Sequence, residues 1–466
     1  MDPNTHMNPD NMDPENMDPD KMDPADAALA LQQDRDLVLT SWSTQSAVDP
    51  LLVSGGEGAW FWTHDGTRYL DFQSQLVNMN LGHRHPRLIE AIKRQADKIC
   101  YVAPNMANDA RSELAAQLAE ITPGNLTASY FTTGGAAAVE SAIKLARHVT
   151  GRTKVLARNR SYHGGTMGTI TVGGDPRRWD AEPGGPGVVR ILDPYTYRCP
   201  AGHPDPCPVC TGAPHIEEIL MYENPETVAA IVLETVTGTN GIIYPPEGYL
   251  KAVRAVCDKY GIMLILDEVM VGFGRTGTWF ACENYDVVPD ILVVAKGINS
   301  GYVPLGAMIV SAPIREWLED NRFSIGQTYA GHPLACAVGV ESIKVFQDED
   351  ILARTVAAGA LVSSRLAEMA ERRRCIGDVR GMGLFHGVEL VRDRDTKEPL
   401  VPFKATGEAA APMARIMRGA KERGLFLAGY NNIIRLAPPL ITSHEDLELG
   451  LEILDDLLGL VDEEIA

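Results

Sequence analysis

The chain lacks the roughly 20-residue apolar run that a membrane-spanning helix requires. Its N-terminus also lacks the basic and apolar segments of a secretory signal peptide. Basic residues are few, since 42 Lys and Arg stand against 62 Asp and Glu and leave a net charge of −20. A chain this acidic repels nucleic acids and anionic membrane surfaces. We therefore expect a cytoplasmic protein that binds neither nucleic acid nor membrane.

Cysteine is sparse as well, with eight in 466 residues, and five of these are scattered. Scattered cysteines in a long chain without a signal peptide are most simply free thiols. The other three, Cys199, Cys207 and Cys210, lie in a Pro- and Gly-rich stretch with His203 and His215 nearby. Their spacing can supply zinc ligands, but no second C-x2-C pair follows at zinc-ribbon spacing. We expect a surface loop without metal, with structural zinc as the alternative.

An acidic repeat occupies the N-terminus. Residues 7–24 repeat Met-Asn-Pro or Met-Asp-Pro every five residues, and residues 1–26 hold eight acids and one Lys. Proline at this density blocks helices and sheets, and the segment has no apolar face. We predict that residues 1–26 are a disordered tail without a catalytic role.

The order of strand and helix patterns predicts the fold. From about residue 128 to 330, short aliphatic runs alternate with helical periodicity. This alternation is typical of an α/β fold whose mostly parallel central sheet carries helices on both faces. Beyond this region, long helical stretches flank short strands, which indicates a smaller α+β unit. We predict an N-terminal segment that packs on the small domain, a large ligand-binding domain and a small C-terminal domain, at residues 27–80, 81–334 and 335–466.

Lys296 and Asp267 carry the strongest functional signal. Lys296 ends the run Ile-Leu-Val-Val-Ala-Lys, and Asp267, 29 residues earlier, ends the run Met-Leu-Ile-Leu-Asp. Both runs read as buried parallel strands, and ligands of open α/β sheets bind at strand ends. An amine and an acid at one edge suit pyridoxal phosphate, because the amine can form a Schiff base and the acid can hold the pyridine nitrogen protonated. A buried ion pair without a cofactor is the alternative.

Three other segments end at the same predicted edge. Gly134 and Gly135 join a strand to an Ala-rich helix, where free backbone N–H groups favour a phosphate. Tyr162 and His163 follow the next strand, and the Tyr ring can lie flat on an aromatic ligand. Glu234 ends a further strand and is a candidate for organising cofactor contacts. The alternatives are a tight turn, a structural His and a solvated strand end.

Several motifs together resemble the class III, fold-type-I aminotransferases that use pyridoxal phosphate. The likeness spans roughly residues 45–460 and rests on the order and spacing of the motifs. That family is typically a homodimer, with its active sites at the subunit interface, so the resemblance implies a homodimer or a dimer of dimers. The motifs are Gly-His-Arg-His-Pro (82–86), Tyr-His-Gly-Gly-Thr (162–166), Asp-Glu-Val-Met-Val-Gly-Phe-Gly-Arg-Thr-Gly (267–277), Ala-Lys-Gly (295–297) and Ala-Pro-Pro-Leu (437–440).

The resemblance implies roles for residues that match the family motifs. Lys296 resembles the Schiff-base lysine and Asp267 resembles the pyridinium partner. In addition, Val269 and Tyr162 would pack on the two faces of the cofactor ring. The remaining matches concern the phosphate: Gly135 and Ala136 correspond to the phosphate-binding turn, and Thr328 corresponds to a phosphate ligand given across the dimer. His163 and Glu234 complete the expected cofactor-binding set.

The sequence departs from the family pattern at the phosphate turn. That turn usually reads Ser-Gly-Ser-Glu-Ala or similar, whereas residues 134–138 read Gly-Gly-Ala-Ala-Ala. Backbone N–H groups can still hold a phosphate there, with a lower expected affinity. Gly165 stands where ornithine-type relatives carry an Arg for a distal carboxylate, and Ala428 stands near an Arg of many amine:pyruvate relatives. The departure at Gly165 argues against the ornithine-type branch.

The substrate expectation rests on weaker signals. Arg435 matches an Arg that binds the α-carboxylate in ornithine-type relatives, with a surface Arg as the alternative. The segment 195–215 resembles one found in taurine:pyruvate and related ω-amino acid aminotransferases. By analogy, Trp60, Leu76 and Val77 would line the substrate pocket.

These features favour an enzyme that moves an amino group from an ω-amino acid or amine, of the taurine or β-alanine kind, to a 2-oxo acid such as pyruvate or 2-oxoglutarate. The resemblance implies a ping-pong scheme with two half-reactions. The same motifs also serve lyases, decarboxylases and aminomutases of this fold. A degenerate member that only binds a partner is a third hypothesis, kept open by Ala136 and Ala137 and opposed by the intact Lys296 and Asp267.

Overall fold

The computed structural model describes residues 22–204 and 206–465. Its first helix, Pro24–Leu37, begins inside the segment that the sequence predicts to be disordered. Proline is favoured at the first turn of a helix, and the Asp23 side chain caps this helix by accepting the Ala25 N–H at 2.8 Å. The predicted disorder is therefore wrong for residues 24–26. The prediction for residues 1–21 lies outside the described residues.

The described chain alternates strands and helices over most of its length. The strands are β1 (Val53–Glu57), β2 (Trp60–Thr63), β3 (Arg68–Asp71), β4 (Leu126–Thr132), β5 (Lys154–Arg158), β6 (Val188–Ile191), β7 (Val228–Glu234), β8 (Met263–Asp267), β9 (Ile291–Ala295), β10 (Gly306–Ser311), β11 (Ile376–Met382), β12 (Phe385–Asp393), β13 (Glu398–Pro399), β14 (Leu425–Phe426), β15 (Ala428–Tyr430) and β16 (Ile433–Leu436). The helices are α1 (Pro24–Leu37), α2 (Ser74–Val77), α3 (Pro86–Lys98), α4 (Asp109–Ile121), α5 (Gly135–Thr150), α6 (Met167–Val172), α7 (Pro208–Gly212), α8 (Pro214–Glu223), α9 (Tyr249–Tyr260), α10 (Ala312–Asp320), α11 (Pro333–Asp348), α12 (Ile351–Arg372), α13 (Ala411–Glu422) and α14 (His444–Ile465).

A seven-stranded sheet forms the centre of the fold, in the order β4-β10-β9-β8-β7-β5-β6. Strands β5 to β9 run parallel to one another, and β10 runs antiparallel to both β9 and β4. Every residue of β7 and β9 is buried. These strands are apolar throughout, apart from the acid that ends β7, because both faces of a parallel sheet are covered by helices. The predicted α/β fold with a mostly parallel sheet is confirmed.

Alternation along β8 shows how the two faces are covered. Leu264 and Leu266 belong to the large apolar cluster that also contains residues of α9 and α11. Ile265, which points to the opposite face, belongs to a second cluster built on Ala138 and Ala142 of α5. Successive strand residues point to opposite faces of a sheet, so one strand anchors helices on both sides. The central sheet is thereby fixed, and so are the carboxyl ends of its strands.

Two smaller sheets flank this centre. One has the order β1-β2-β3-β14, and the parallel pairing of β14 with β3 joins the N-terminal strands to the C-terminal part of the chain. The other has the order β11-β12-β16-β15, with β13 paired to β12. None of the helices within residues 22–204 and 206–465 combines the length and apolarity needed to cross a membrane. The domain boundaries at residues 80 and 334 stay a prediction.

Candidate active site

A cavity of about 460 Å³ opens at the carboxyl ends of β7, β8 and β9. Glu234 ends β7, Asp267 ends β8, and Lys296 directly follows β9, and all three side chains line this cavity. Glu234 is the register partner of Asp267, so their side chains start from adjacent positions of the sheet. The structure therefore brings together the acid and the amine that the sequence places at strand ends.

Lys296 adopts a backbone φ of 48°, in the left-handed region that disfavours residues with a side chain. Such strain persists only where the surroundings enforce it, and it concentrates at functional sites. Burial, followed by the charge of Arg435, lowers the pKa of Lys296 to about 8, while Asp267 and Glu234 act in the opposite direction. The side chain is therefore an amine that is substantially neutral at mildly alkaline pH.

The carboxylate of Asp267 is held on both oxygens. Its Oδ2 lies 2.7 Å from Nδ1 of His163, and its Oδ1 accepts the N–H of Val269 at 3.0 Å. Only 5% of Asp267 is exposed, and His163 is buried beside it. Because Oδ2 is an acceptor, this contact favours the tautomer of His163 that carries its proton on Nδ1. His163 thus orients the carboxylate.

The carboxylate of Glu234 accepts hydrogen bonds from backbone amides around the cavity. Its two oxygens accept the N–H groups of Tyr162 at 3.0 Å and of Gly238 at 2.8 Å. Burial raises the pKa of Glu234, and the charge of His163 opposes this shift. Glu234 therefore fixes the loop that carries Tyr162, and through that loop it shapes the cavity.

The start of α5 forms one end of the cavity. Gly134, Gly135 and Ala136 line it, and no side chain caps this helix. The first helical hydrogen bond runs from Ala138 N–H to Gly134 O, so the preceding amides have no acceptor within the helix. A Cβ on Gly135 would lie 2.9 Å from a methyl of Val269, so only Gly permits this close packing. Free amides at a helix N-terminus bind phosphate well.

The small side chains of the turn at residues 134–138 affect how it packs against its neighbours. A Cβ on Gly164 would lie 2.5 Å from the Cβ of Ala136, so the loop at 162–165 packs directly on the first turn of α5. A residue larger than Ala at position 136 would have to share this space. The Ala residues of the turn are therefore compatible with the close approach of the Tyr162 loop.

These three groups fit pyridoxal phosphate. The buried carboxylate of Asp267 can pair with the pyridine nitrogen, and the free amides at the start of α5 can bind the phosphate. Lys296, with its strained backbone and lowered pKa, lines the same cavity. Leu76, which the sequence predicts to line the substrate pocket, also lines this cavity, and 73% of the residue is exposed.

Two other predicted pocket residues lie elsewhere in the structure. Trp60 is outside the cavity, because its indole Nε1 donates to Asp446 of α14 at 3.1 Å. Val77 is 1% exposed and belongs to an apolar cluster with Val236 and Ile242. Neither residue lines the cavity of the described chain, and their contact with substrate stays a prediction. The aromatic and branched composition of their strand and turn reflects packing.

Thr328 lies outside the cavity of its own chain. It is exposed in the segment between α10 and α11, where its carbonyl accepts the hydroxyl of Tyr101 at 2.9 Å. The family resemblance assigns Thr328 to the active site of a neighbouring subunit. That role stays a prediction.

Arg177 is a residue near the cavity that the sequence did not reveal. Its guanidinium carbon lies 3.6 Å from the centre of the Tyr162 ring, a cation–π contact, and its Nε donates to Asp175 at 2.7 Å. Arg435 lies on β16, and its buried Nε has no hydrogen-bond partner among the described residues. The charges of both arginines lower the pKa of Lys296. Both cations therefore act on the amine, although only Arg435 was expected. Neither arginine is among the residues that line the cavity, and the contact of Arg435 with substrate stays a prediction.

The shifted pKa of Lys296 predicts a measurable titration. In cofactor-free protein, the reactivity of Lys296 toward an amine reagent should rise with pH, with a midpoint near 8, because only the neutral amine is nucleophilic. An ordinary lysine titrates at about pH 10.4. Arg435→Gln should move the midpoint upward, because it removes a cation that disfavours the protonated amine. Peptide-resolved competitive labelling measures both values, with exposed Lys251 in the same digest as reference. An unmoved midpoint would contradict the inferred proximity of Arg435.

Comparison with known proteins agrees with this geometry. A model of the family Aminotransferase class-III matches residues 43–458. The chain is 34% identical over 435 residues to the hypotaurine/taurine–pyruvate aminotransferase of Paracoccus denitrificans, covering 90% of this chain and 94% of that protein. The structure of taurine:2-oxoglutarate aminotransferase from Bifidobacterium kashiwanohense, in complex with PLP and glutamate, matches with a TM-score of 0.90 and 40% identity, covering 94% of this chain and 99% of that one.

A second solved structure gives the same result. The (S)-enantioselective ω-transaminase from Thermomicrobium roseum matches with a TM-score of 0.87 and 37% identity, covering 95% of this chain and 99% of that one. Both identity and coverage are high enough to extend beyond the fold to the family. The chain therefore belongs to the class-III aminotransferases, fold-type-I enzymes that use pyridoxal phosphate.

Proposed function

We propose that the protein transfers the amino group of an ω-amino acid or amine, of the taurine or β-alanine kind, to a 2-oxo acid such as pyruvate or 2-oxoglutarate. The observation that carries this proposal is that the charges of two cations, Arg177 and Arg435, reach Lys296 and lower its pKa. Arg177 contacts Tyr162 of the cavity lining, whereas Arg435 does not itself line the cavity. A sulfonate or carboxylate on the donor, and the carboxylate of the acceptor, both require such cations. The names of two relatives, a hypotaurine/taurine–pyruvate and a taurine:2-oxoglutarate aminotransferase, support the same substrate class.

Proton movement falls to Lys296. The bound cofactor supplies an electron-accepting ring and carries the amino group between the two half-reactions of a ping-pong scheme. Lys296 would hold the cofactor and would serve as the base that moves the proton of the substrate carbon. Its lowered pKa suits this role, because a neutral amine is needed at the start of each transfer.

The other predicted residues would bind and orient. Asp267, held by His163, would keep a proton on the pyridine nitrogen. The ring would lie between Val269 and Tyr162, and both residues line the cavity. Amides of Gly135 and Ala136 would hold the phosphate at the start of α5. Arg177, stacked on Tyr162, would restrict the movement of that ring.

We further propose a cytoplasmic homodimer, or a dimer of dimers, in which Thr328 of one subunit completes the phosphate site of the other. Thr328 is exposed and does not line the cavity of its own chain, which supports this arrangement. Light scattering on the purified protein tests the assembly, and a monomer that is fully active would contradict it.

Product analysis tests the reaction. The enzyme is incubated with taurine, β-alanine and related amines, each with pyruvate or with 2-oxoglutarate. We expect the donor to disappear only when a 2-oxo acid is present, with alanine or glutamate formed in equal amount. Loss of donor without an acceptor, with release of ammonia or carbon dioxide, would instead indicate a lyase or decarboxylase. A shifted amino group within one molecule would indicate an aminomutase.

Arg435→Leu tests the anion-binding role. We expect kcat/KM for taurine or β-alanine to fall about 10- to 100-fold, mainly through KM, because hydrogen bonds to charged groups contribute about 1.5–3 kcal/mol. The donor half-reaction, followed without acceptor through the cofactor absorbance, gives this value directly. Arg315→Leu is the matched control, since Arg315 is exposed and pairs with Glu319 on α10. An equal loss with an uncharged amine donor would argue against anion binding.

A further inference from the structure

Three cysteine sulfurs converge outside the cavity, in the segment between β6 and α8. Sγ of Cys199 lies 3.2 Å from Sγ of Cys207 and 3.7 Å from Sγ of Cys210. All three sulfurs lie within 4.8 Å of one another. Within residues 22–204 and 206–465, this is the single group of three or more His, Cys, Asp or Glu side chains whose ligand atoms come this close. Two of the thiols are buried and Cys199 is partly exposed.

The spacing of the sulfurs matches a known coordination geometry. Zinc binds thiolates at about 2.3 Å in a tetrahedron, which places neighbouring sulfurs about 3.8 Å apart. The Cys199–Cys210 separation of 3.7 Å matches this edge, and the Cys199–Cys207 separation of 3.2 Å is shorter than it. A single disulfide would use two of the sulfurs and would leave the convergence of the third unexplained.

A backbone amide also points at the sulfurs. The N–H of Cys210 donates to Sγ of Cys207 at 3.4 Å, as the short C-x2-C loop turns into α7. A donor in this position stabilises the thiolate form, which is the form of cysteine that binds metal.

We propose that Cys199, Cys207 and Cys210 bind one zinc ion as thiolates. His203 or a water molecule would supply the fourth ligand, since His203 lines the same surface depression as Cys199. This inference replaces the expectation from sequence that the segment holds no metal. A second C-x2-C pair is not required, because the chain between Cys199 and Cys207 folds back and brings Cys199 next to Cys207 and Cys210.

The surroundings of the cluster indicate a structural ion. Arg198, adjacent to Cys199, donates to Glu389 of β12 at 2.5 Å, and Tyr195 donates to the same carboxylate. Arg380 also pairs with Glu389, at 2.9 Å, and donates to the carbonyl of Gly241 in the loop after β7. The metal would hold the segment in the position from which it joins β12 to the central sheet.

Metal analysis of the untagged holoenzyme, purified without chelator, tests the proposal. We expect about one zinc per chain by plasma mass spectrometry, released by a thiol-blocking mercurial and detected with a zinc dye. Cys207→Ser and Cys210→Ser should each lose most of this zinc and should lower Tm by several degrees. Cys257→Ser, which removes a buried thiol of α9 outside the cluster, should retain it. His203→Gln should weaken zinc retention during dialysis if the imidazole is the fourth ligand, and should leave it unchanged if the fourth ligand is water.

Three outcomes would overturn the proposal. The first is protein without zinc that does not take up added zinc and in which all eight thiols titrate after denaturation. The second is a disulfide between cluster cysteines, identified by peptide mass. The third is zinc that persists in both Cys207→Ser and Cys210→Ser, which would place the ion elsewhere. Each result is obtained without measuring amino transfer, so the metal site stands or falls separately from the proposed reaction.

Discussion

Lys296→Ala should reduce amino transfer by about 10⁴-fold or more. Positioned proton transfer alone contributes about 10²- to 10⁴-fold, and this residue is also expected to bind the cofactor covalently. Borohydride should fix the cofactor to the peptide that contains Lys296 in the parent enzyme and should leave the variant unlabelled. Steady-state rates and peptide mapping provide the two measurements. Added methylamine should restore part of the rate, because a small free amine can replace the missing base.

The control for this variant is Lys251→Ala. Lys251 is exposed on α9 and pairs with Asp286 at 3.0 Å, so its loss should leave the rate unchanged. The thermal stability of Lys296→Ala should stay close to that of the parent or increase, because the substitution removes a buried amine from a strained backbone position. A variant that keeps full activity would show that Lys296 is not the base. A variant that is merely unfolded would not respond to methylamine.

The main features of the site could be predicted from the sequence because strand ends are visible there. The aliphatic runs before Asp267 and Lys296 specify buried parallel strands, and parallel strands deliver their last residues to one edge. The turn at Gly134 was visible for the same reason, since a strand, two glycines and an Ala-rich helix follow one another. Once the strands are placed in one parallel sheet, these groups necessarily lie at the same edge and share one cavity.

Residues whose role depends on side-chain direction or on distant loops could not be predicted. Helix α6 lies between Tyr162 and Arg177 in the sequence, and no sequence pattern predicts the contact between these two residues. Trp60 was assigned to the pocket by analogy, but its indole points to Asp446 on the last helix. The cysteine cluster was visible as a motif, yet only the fold brings the sulfur of Cys199 to within 3.2 Å of that of Cys207.

Two adjacent acids at the end of β8 allow a matched comparison. Glu268 directly follows Asp267 but points away from the cavity, where it accepts N–H groups of Ala281 at 2.6 Å and Cys282 at 2.7 Å. Burial raises the pKa of Glu268 to about 7, although these amides and the Thr235 hydroxyl oppose the shift. Glu268→Gln should therefore destabilise the fold by about 1–3 kcal/mol, because its amide group would face backbone donors. Activity per folded molecule should stay unchanged.

Asp267→Asn should lower amino transfer by about 10²- to 10⁴-fold, because breaking a buried charged pair commonly costs about 3–5 kcal/mol. Asparagine has nearly the same shape but cannot carry the negative charge that would hold a proton on the pyridine nitrogen, and it weakens the contact with His163. Single-turnover rates with each substrate, together with cofactor affinity by equilibrium dialysis, measure the loss in both half-reactions. The comparison with Glu268→Gln separates the effect of losing a carboxylate at the cofactor site from the effect of losing one in the protein core. If Asp267→Asn remained within a factor of about three of the parent while Glu268→Gln was equally affected, the carboxylate at the end of β8 would have no electrostatic role in the reaction.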